Sequence, residues 1–527
     1  MSASKKRTVN DLDDSHAEPN KRGPSSKRKG NEEVGMGDFE DEWEDEVDSD
    51  EGPNEGEEAG QGNQDDAMDI DIHPAVEDAQ APSSKQAAPQ TFLPGLHKLS
   101  KDEILEPDQS AYEMLHRMNV AWPCLSFDVL RDGLGEERRK YPATAYVVTG
   151  TQADTSSKNE VLVMKMSALY KTQKDDGSGS DDEDSDDDDG ALDEDAVLEY
   201  KSIPHVGGVN RVRAQPTPLN YTPNPSLPYH VATWADTGKV HIYNVRPFME
   251  ALDPSPQSGS SIPEAAKKPV HTITSHGRSE GFALDWAASF SADNTSVSGV
   301  RLLSGDITSK IYLTTSTVSG FTTSPNPFTS HTSSIEDLQW SPSEPTVFAS
   351  CSADQSIRIW DVRVKGRKSA MVVENAHDAD INVISWNRTT GGSGYLMVSG
   401  GDEGGLKVWD LRGWNKPSQK PSPVAAFTWH KAPITSVEWH PTEESAFVAS
   451  GADDQITIWD LAVEEDPDEV GGTNGTSDPS LRHVPAQLLF VHQGQKDIKE
   501  VHWHSQIPGA VVSTAFDGFN IFKTISI

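Results

Sequence analysis

Trp-Asp pairs stand at 360/361, 409/410 and 459/460, at intervals of 49 and 50 residues. Each interval repeats the same marks. A histidine lies nine residues before a second tryptophan: His331 and Trp340, His377 and Trp386, His430 and Trp439. An acidic residue lies six before the tryptophan of the pair: Asp354 before Trp360, Glu403 before Trp409, Asp453 before Trp459. Between these marks run short apolar segments rich in Val, Ile and Trp, broken by turn residues. A unit this short cannot bury its apolar face alone, so copies at a fixed period must stack on one another.

The marks match the four-stranded WD repeat, whose copies form the blades of a propeller. Weaker copies extend the array. His276 precedes Trp286 by ten, and Asp306 precedes Tyr312 by six. His205 leads VNRVRA, and WADTGKVHIYN carries Tyr243 where Trp would stand. His492 leads IKEVHWH, with Phe522 at the corresponding place. LSFDVL, ATAYVVTG and EVLVMKM give three more strands without the His or Trp-Asp marks. The expected fold is all-β, a seven-bladed WD-repeat propeller over 122–527. The last blade has about three strands before Ile527, so a stretch within 91–107 is expected to supply its outer strand and remove the open edge.

Recurrence also decides what the polar marks do. A catalytic constellation is needed once, whereas His331, Asp354 and Trp360 have counterparts in His377, Glu403 and Trp409, and in His430, Asp453 and Trp459. They are read as braces that satisfy buried polar groups within each blade, although nearby Ser352 completes the appearance of a Ser-His-Asp site. GRSEG at 277–281 matches G-x-S-x-G, but a strand-like FALDW follows where a nucleophile elbow needs a helix. GGDEGG at 400–405 falls where a repeat needs a tight turn. No phosphate-binding loop, dinucleotide fingerprint or metal-ligand spacing occurs, so neither enzyme nor cofactor is expected.

The rest of the chain is unlike the repeats. There are 84 acidic and 45 basic residues, a formal charge of −39, with 34% apolar content. Such a chain attracts basic proteins and repels nucleic acid, so no direct nucleic-acid binding is expected. Two cysteines, Cys124 and Cys351, without metal spacing fit a reducing compartment. No signal peptide and no membrane span are read, and a monomer is expected. Residues 1–90 form a tail that begins with basic clusters, including Lys21, Arg22, Lys27, Arg28 and Lys29, read as a nuclear localisation signal. Residues 31–84 lack Lys and Arg, and 13 of the 21 residues in 38–58 are acidic, which favours disorder. Within that stretch Phe39, Trp43 and Val47 are either a segment that folds on a partner or stray apolar residues.

Residues 91–121 connect the tail to the repeats. Tyr112, Leu115 and Met118 share a helical face, and Ser110 with Glu113 suits a capping box, so a short α-helix is expected over 109–119. A second acidic tract interrupts the first blade at about 172–196. It contains Asp181, Asp182, Glu183, Asp184, Asp186, Asp187, Asp188 and Asp189, and reads as a disordered loop. Ser180 and Ser185 each have an acidic residue three positions on, the pattern of acidophilic kinases.

Three features go beyond a generic propeller: the glutamate-rich tail, YEMLHRMNVAWPCLSFDVLRDGLG at 112–135 and YPATAYVVTGTQA at 141–153. Together they resemble the glutamate-rich WD-repeat proteins, or regulators of ribosome biogenesis. That resemblance implies a nucleolar chaperone of large-subunit ribosomal protein three, acting on pre-ribosomal particles in 60S assembly. The segment before Trp122-Pro123, and PAQLLFVHQGQKDIKEVHWH at 485–504, are also similar to the histone-binding, retinoblastoma-associated WD proteins. That wider likeness implies a side groove for a client helix. One wall would be the helix bearing Tyr112, Leu115, His116 and Met118. The other would be the loop 461–483, with Glu464, Glu465, Asp466, Asp468 and Glu469. The loop departs from that group in being rich in Gly and Thr at 471–477. The expected function is non-enzymatic escort of a basic ribosomal protein in the nucleus and nucleolus. A histone chaperone or chromatin adaptor is the alternative. A ubiquitin-ligase substrate receptor is a further one, suggested by DVR at 361–363 and DLR at 410–412.

Overall fold

The structure is a computed structural model, and it describes residues 92, 105–172, 195–218, 227–253, 261–290, 297–389, 394–414, 421–464 and 484–526. Its strands form seven four-stranded antiparallel sheets, one per blade. Strand β1 (Tyr112–Met118) precedes blade 1, which is built from β2 (Cys124–Leu130), β3 (Ala143–Thr151), β4 (Glu160–Leu169) and β5 (Val197–Pro204). Blade 2 comprises β6 (Val209–Ala214), β7 (His230–Ala235), β8 (Val240–Asn244) and β9 (His271–Ile273). Helix α1 (Arg246–Leu252) lies between the last two and buries Phe248 and Leu252. Blade 3 runs from β10 (Ala283–Phe290) through β11 (Val297–Gly305) and β12 (Ile311–Thr317) to β13 (Gly320–Thr323). Blade 4 has β14 (Ile335–Trp340), β15 (Val347–Ser352), β16 (Ile357–Asp361) and β17 (Met371–Val373). Blade 5 has β18 (Ile381–Trp386), β19 (Leu396–Gly401), β20 (Leu406–Asp410) and β21 (Ala425–Phe427). Blade 6 has β22 (Ile434–Trp439), β23 (Ala446–Gly451), β24 (Gln455–Asp460) and β25 (Leu488–His492). Blade 7 takes β26 (Glu500–Trp503), β27 (Ala510–Ala515) and β28 (Gly518–Thr524) from the C-terminus.

The fourth strand of blade 7 is β1, antiparallel to β28 with Leu115 opposite Phe522. Two expectations are corrected here. The helix over 109–119 is a single 3-10 turn, Gln109–Ala111, capped by the Asp108 carboxylate, and is followed by a strand. The closing strand is 112–118 rather than a stretch within 91–107, so the propeller begins ten residues before 122. The physical reason is register. Tyr112, Met114 and Met118 alternate with less buried neighbours across the sheet, and Met114 is fully buried with Phe127, Leu169 and Ile521. The same residues at spacings of three and four also fit a helix. The unpaired edge of β28 settles the competition, because pairing satisfies a row of backbone groups that a helix would leave open.

Each inner strand has one edge with no sheet partner, and its N–H groups are satisfied from the preceding blade. Asp128 Oδ2 accepts from Ala214 N at 2.7 Å, and Asp285 Oδ2 from Trp340 N at 2.6 Å. Asp337 Oδ2 accepts from Ile384 N at 3.1 Å, and Ser385 Oγ from Trp439 N at 3.1 Å. Glu438 Oε2 accepts from Trp503 N, and Glu500 Oε2 from Phe127 N, both at 2.8 Å. The last of these joins blade 7 to blade 1. Blade 2 carries Arg211 and Arg213 at the equivalent positions and cannot accept in this way. Instead, Arg211 Nε donates to Phe282 O of blade 3 at 2.6 Å, and both guanidinium groups reach Glu500 at 2.8 and 2.7 Å.

Glu500 is therefore the most heavily committed charge of the ring. Burial opposes its ionisation, but Arg213, Arg211 and His502 outweigh burial and hold its carboxyl well below the ordinary range. His502 is itself buried, and Glu438 at 3.1 Å and Glu500 at 3.5 Å push its pKa up to about 10. A raised folded pKa means that this stabilisation is complete below the unfolded value of about 6.5 and is lost as pH rises through about 10. Thermal melts should accordingly show the gap between the wild type and His502→Gln narrowing from pH 7 to pH 10. Glu500→Gln at pH 7 should destabilise by about 3 kcal/mol, since it leaves two buried guanidinium groups without their counter-charge.

Candidate partner-binding edge

The repeated histidines sit at the inner-strand entrances of their blades, and the structure connects each to its partners. His331 Nδ1 lies 2.8 Å from Asp354 and its Nε2 2.7 Å from Ser350 Oγ, to which Trp360 Nε1 donates at 2.8 Å. His377 contacts Glu403 at 2.5 Å and Ser399 at 2.7 Å, and Trp409 donates to Ser399 at 2.8 Å. His430 contacts Asp453 and Thr457, both at 2.9 Å, and Trp459 donates to Thr457 at 2.7 Å. The hydroxyl in the blade 4 set is thus Ser350, while Ser352 Oγ accepts from Asp354 N. Burial resists the charge on Asp354, but the His331 hydrogen bond overcomes it and holds the carboxyl well below its usual range. These sets are buried within blades and leave no room for a substrate. GGDEGG spans the β19–β20 turn, where Gly404 has φ +78° and an added Cβ would stand 2.6 Å from His430 O. Glycine there serves the turn. GRSEG lies in the loop before β10 and opens no helix.

Blade 7 replaces the acidic brace residue with the closing strand. Tyr112 Oη stands 2.8 Å from His492 Nδ1, and His492 Nε2 lies 3.1 Å from Asn520 Nδ2. Burial, with Arg117 nearby, drives the pKa of His492 down to about 3, so the ring is neutral. The Tyr112 ring also meets Phe490 of blade 6 edge-on at 5.3 Å. Tyr112 and Met118 are buried, and Leu115 and His116 are half-buried. The four residues expected to face a client from a helix therefore hold the ring closed instead.

What the closing strand brings together is the candidate site. A β-bulge between Tyr112 and Met114 drops Glu113 out of the ladder. Its carbonyl accepts from Thr172 N at 3.0 Å, and its carboxylate pairs with Lys523 at 2.8 Å. His116 Nε2 lies 2.8 Å from Tyr170 O. Residues 170–172 lead directly into the acidic tract of blade 1, so that tract departs from the flank of β1. In blade 6, Gln487 Nε2 donates to Val463 O at 2.9 Å, which ties off the base of the second acidic insertion. Glu464 is exposed at that base. Antiparallel order makes all outer strands begin on one face, so β5, β25 and β1 start together on three successive blades. The acidic tract, the acidic loop and the N-terminal tail all enter the fold there. Asp181 to Asp189, Glu465, Asp466, Asp468, Glu469 and the basic cluster from Lys21 to Lys29 lie outside the described residues.

Arg363 and Arg412, which follow the Trp-Asp pairs of blades 4 and 5, are solvent-exposed and are each held by the preceding aspartate at 2.7 Å. Among the described residues no group of three or more His, Cys, Asp or Glu side chains could hold a metal ion, and no helix is long and apolar enough to cross a membrane.

A closed seven-bladed ring with buried braces, no enclosed substrate site among the described residues and a charged edge defines a WD-repeat propeller. Comparison with known proteins agrees. The WD domain, G-beta repeat model matches 322–361 and 421–460, and the model of histone-binding protein RBBP4 and its counterpart in the CAF1 complex matches 102–170. The chain is 45% identical to the ribosome assembly protein rrb1 of Schizosaccharomyces pombe, with 94% of each chain covered. It is 41% identical to glutamate-rich WD repeat-containing protein 1 of Dictyostelium discoideum over 82% of this chain and 84% of that one. It is 39% identical to the protein HEAT STRESS TOLERANT DWD 1 of Arabidopsis thaliana over 85% and 94%. The chain belongs to this family of glutamate-rich WD-repeat, ribosome assembly proteins.

Removing residues 1–118 should leave β28 unpaired. The truncated chain is expected to associate or unfold on size-exclusion chromatography. Tyr112→Phe, which removes only the hydroxyl facing His492, should remain monomeric and lose about 1–2 kcal/mol in denaturant titration.

Proposed function

We propose that this protein is a non-enzymatic escort of a basic ribosomal protein, large-subunit ribosomal protein three, and delivers it to pre-ribosomal particles in the nucleus and nucleolus. The observation that carries the reading is the common entry of three acidic segments on blades 6, 7 and 1. A ribosomal protein free of rRNA exposes basic extensions that collapse on any polyanion. Several flexible acidic arms on one edge raise the local concentration of binding charge, and the propeller holds their bases at fixed positions. The similarity to a ribosome assembly protein over nearly the whole chain supports the same reading.

A histone client is the second reading, favoured by the match of 102–170 to a histone-binding model. Net charge does not separate the two, since both clients are basic. Pull-down from nuclear extract with the full chain should recover ribosomal protein three in a complex that dissociates as salt rises. Recovery of histones alone would overturn the reading, and competition between purified clients ranks the two directly. Co-purification with a ligase adaptor through Arg363 and Arg412 would mark a third function instead.

Deleting 173–194 should leave the melting temperature unchanged, because β4 and β5 remain paired from Ser167 and Val197 onward. The same deletion should weaken client binding about tenfold at low salt and much less at about 0.3 M, where exposed charges are screened. A fall in melting temperature would instead assign the tract a structural role.

A further inference from the structure

The axial channel opens into a cavity of about 290 Å³ at the face where each outer strand passes to the next inner strand. This is the face opposite the acidic insertions. Every blade contributes a residue from the start of its inner strand. Leu125 and Phe282 give an apolar wall, Asn210, Asn382 and Thr435 offer hydrogen bonds, and Glu336 and Lys499 bring charge. In five blades the pairing of the inner strand slips at this residue, between Cys124 and Ser126, Val209 and Arg211, Ile335 and Asp337, Ile381 and Val383, and Ile434 and Ser436. Such bulges release a residue from the ladder and re-aim its side chain. Five coincident bulges around one opening shape the mouth at the expense of regular pairing.

The charges at the mouth are unequally matched. Arg211 is engaged by Glu500 at 2.8 Å and by Phe282 O at 2.6 Å, and Lys499 by Asp497 at 2.6 Å. Glu336 has Asp380 and Asp402 as acidic neighbours. Burial raises its carboxyl above the ordinary range, and the two aspartates add to this against Ser334 and Arg211. Among the described residues none of these three carboxylates forms an ion pair, and Asp402 accepts only an amide bond from Asn382 at 2.8 Å. The three do not form a metal-binding group. The missing counter-charge is therefore an organic cation, and a planar one that can lie against Phe282 fits best.

We propose that the channel mouth takes one arginine side chain of a protein partner, with the guanidinium on Glu336 and the stem against Phe282 and Leu125. The proposal rests on the basic-protein reading only for who supplies the arginine. It is tested with the full chain and a twelve-residue Gly/Ser peptide bearing one arginine beside benzoylphenylalanine, at about 0.3 M salt to screen the acidic arms. Photo-crosslinks should map beside Leu125, Phe282 or Ile434 and vanish when citrulline replaces arginine. Glu336→Gln, and independently Asp402→Asn, should cut the crosslink about tenfold. Neither variant should melt below the wild type, because each relieves like-charge crowding. Crosslinks confined to 173–194 or 465–483, or equal labelling by the citrulline peptide, would overturn the proposal. Labelling at the mouth together with no binding of ribosomal protein three would uphold the site and reject that client.

Discussion

The propeller depends on how it answers the free edge of its innermost strands. A four-stranded sheet leaves that edge unpaired, and seven such edges converge on one axis. In six of the seven junctions a side-chain oxygen from one inner strand accepts a backbone N–H of the next, at 2.6–3.1 Å. These acceptors are mostly carboxylates, and they are costly to bury. Burial pushes the pKa of Asp285 up to about 6 and also raises Asp128 and Asp337. Blade 2 supplies the compensation by placing Arg211 and Arg213 against Glu500. The acids of the inner ring thus belong to the architecture. The acids that meet a client must come from elsewhere, and the insertions and tail are where the chain carries them.

Closure by β1 joins the architecture to that second population of acids. A ring completed by an N-terminal strand sends the tail out where β1 begins, beside the start of each neighbouring outer strand. The bulge at Glu113 then gives the blade 1 tract a backbone hydrogen bond at Thr172. Tyr112 spans the junction, touching Phe490 and His492 ahead of it and packing on Phe522. Closing the ring and gathering the acidic segments are consequences of one strand. A substitution at Tyr112 therefore reports on stability before it reports on binding.

The repeats were legible because their constraints are local. A histidine nine residues before a tryptophan, with an acid six before the next, marks hydrogen bonds that form inside one blade, as His331, Asp354, Ser350 and Trp360 show. The inner-ring acceptors were not legible. Asp128, Asp285 and Glu438 follow no fixed spacing, and their partners lie about 55–86 residues away in the neighbouring blade. Strand β1 was misread for the same reason. Its seven residues fit period two and period 3.6 nearly equally, and the deciding partner is β28, some 400 residues downstream. The bulges that shape the channel mouth were equally hidden, because a one-residue slip depends on the facing strand and leaves no mark in composition.

The division of charge between two faces bears on how such a protein could select a client. Exposed ion pairs contribute roughly 0–1 kcal/mol each and fade with salt. Acidic arms on blades 6, 7 and 1 can therefore speed encounter and retain any basic chain, but they discriminate poorly between a histone and a ribosomal protein. Discrimination needs contacts that are buried, directional and costly to leave unmet. Glu336, facing a channel mouth with Phe282 and lacking a counter-charge, has that character, and the insertions do not. Capture on one face and reading of a side chain on the other would let a strongly acidic protein remain specific among basic competitors.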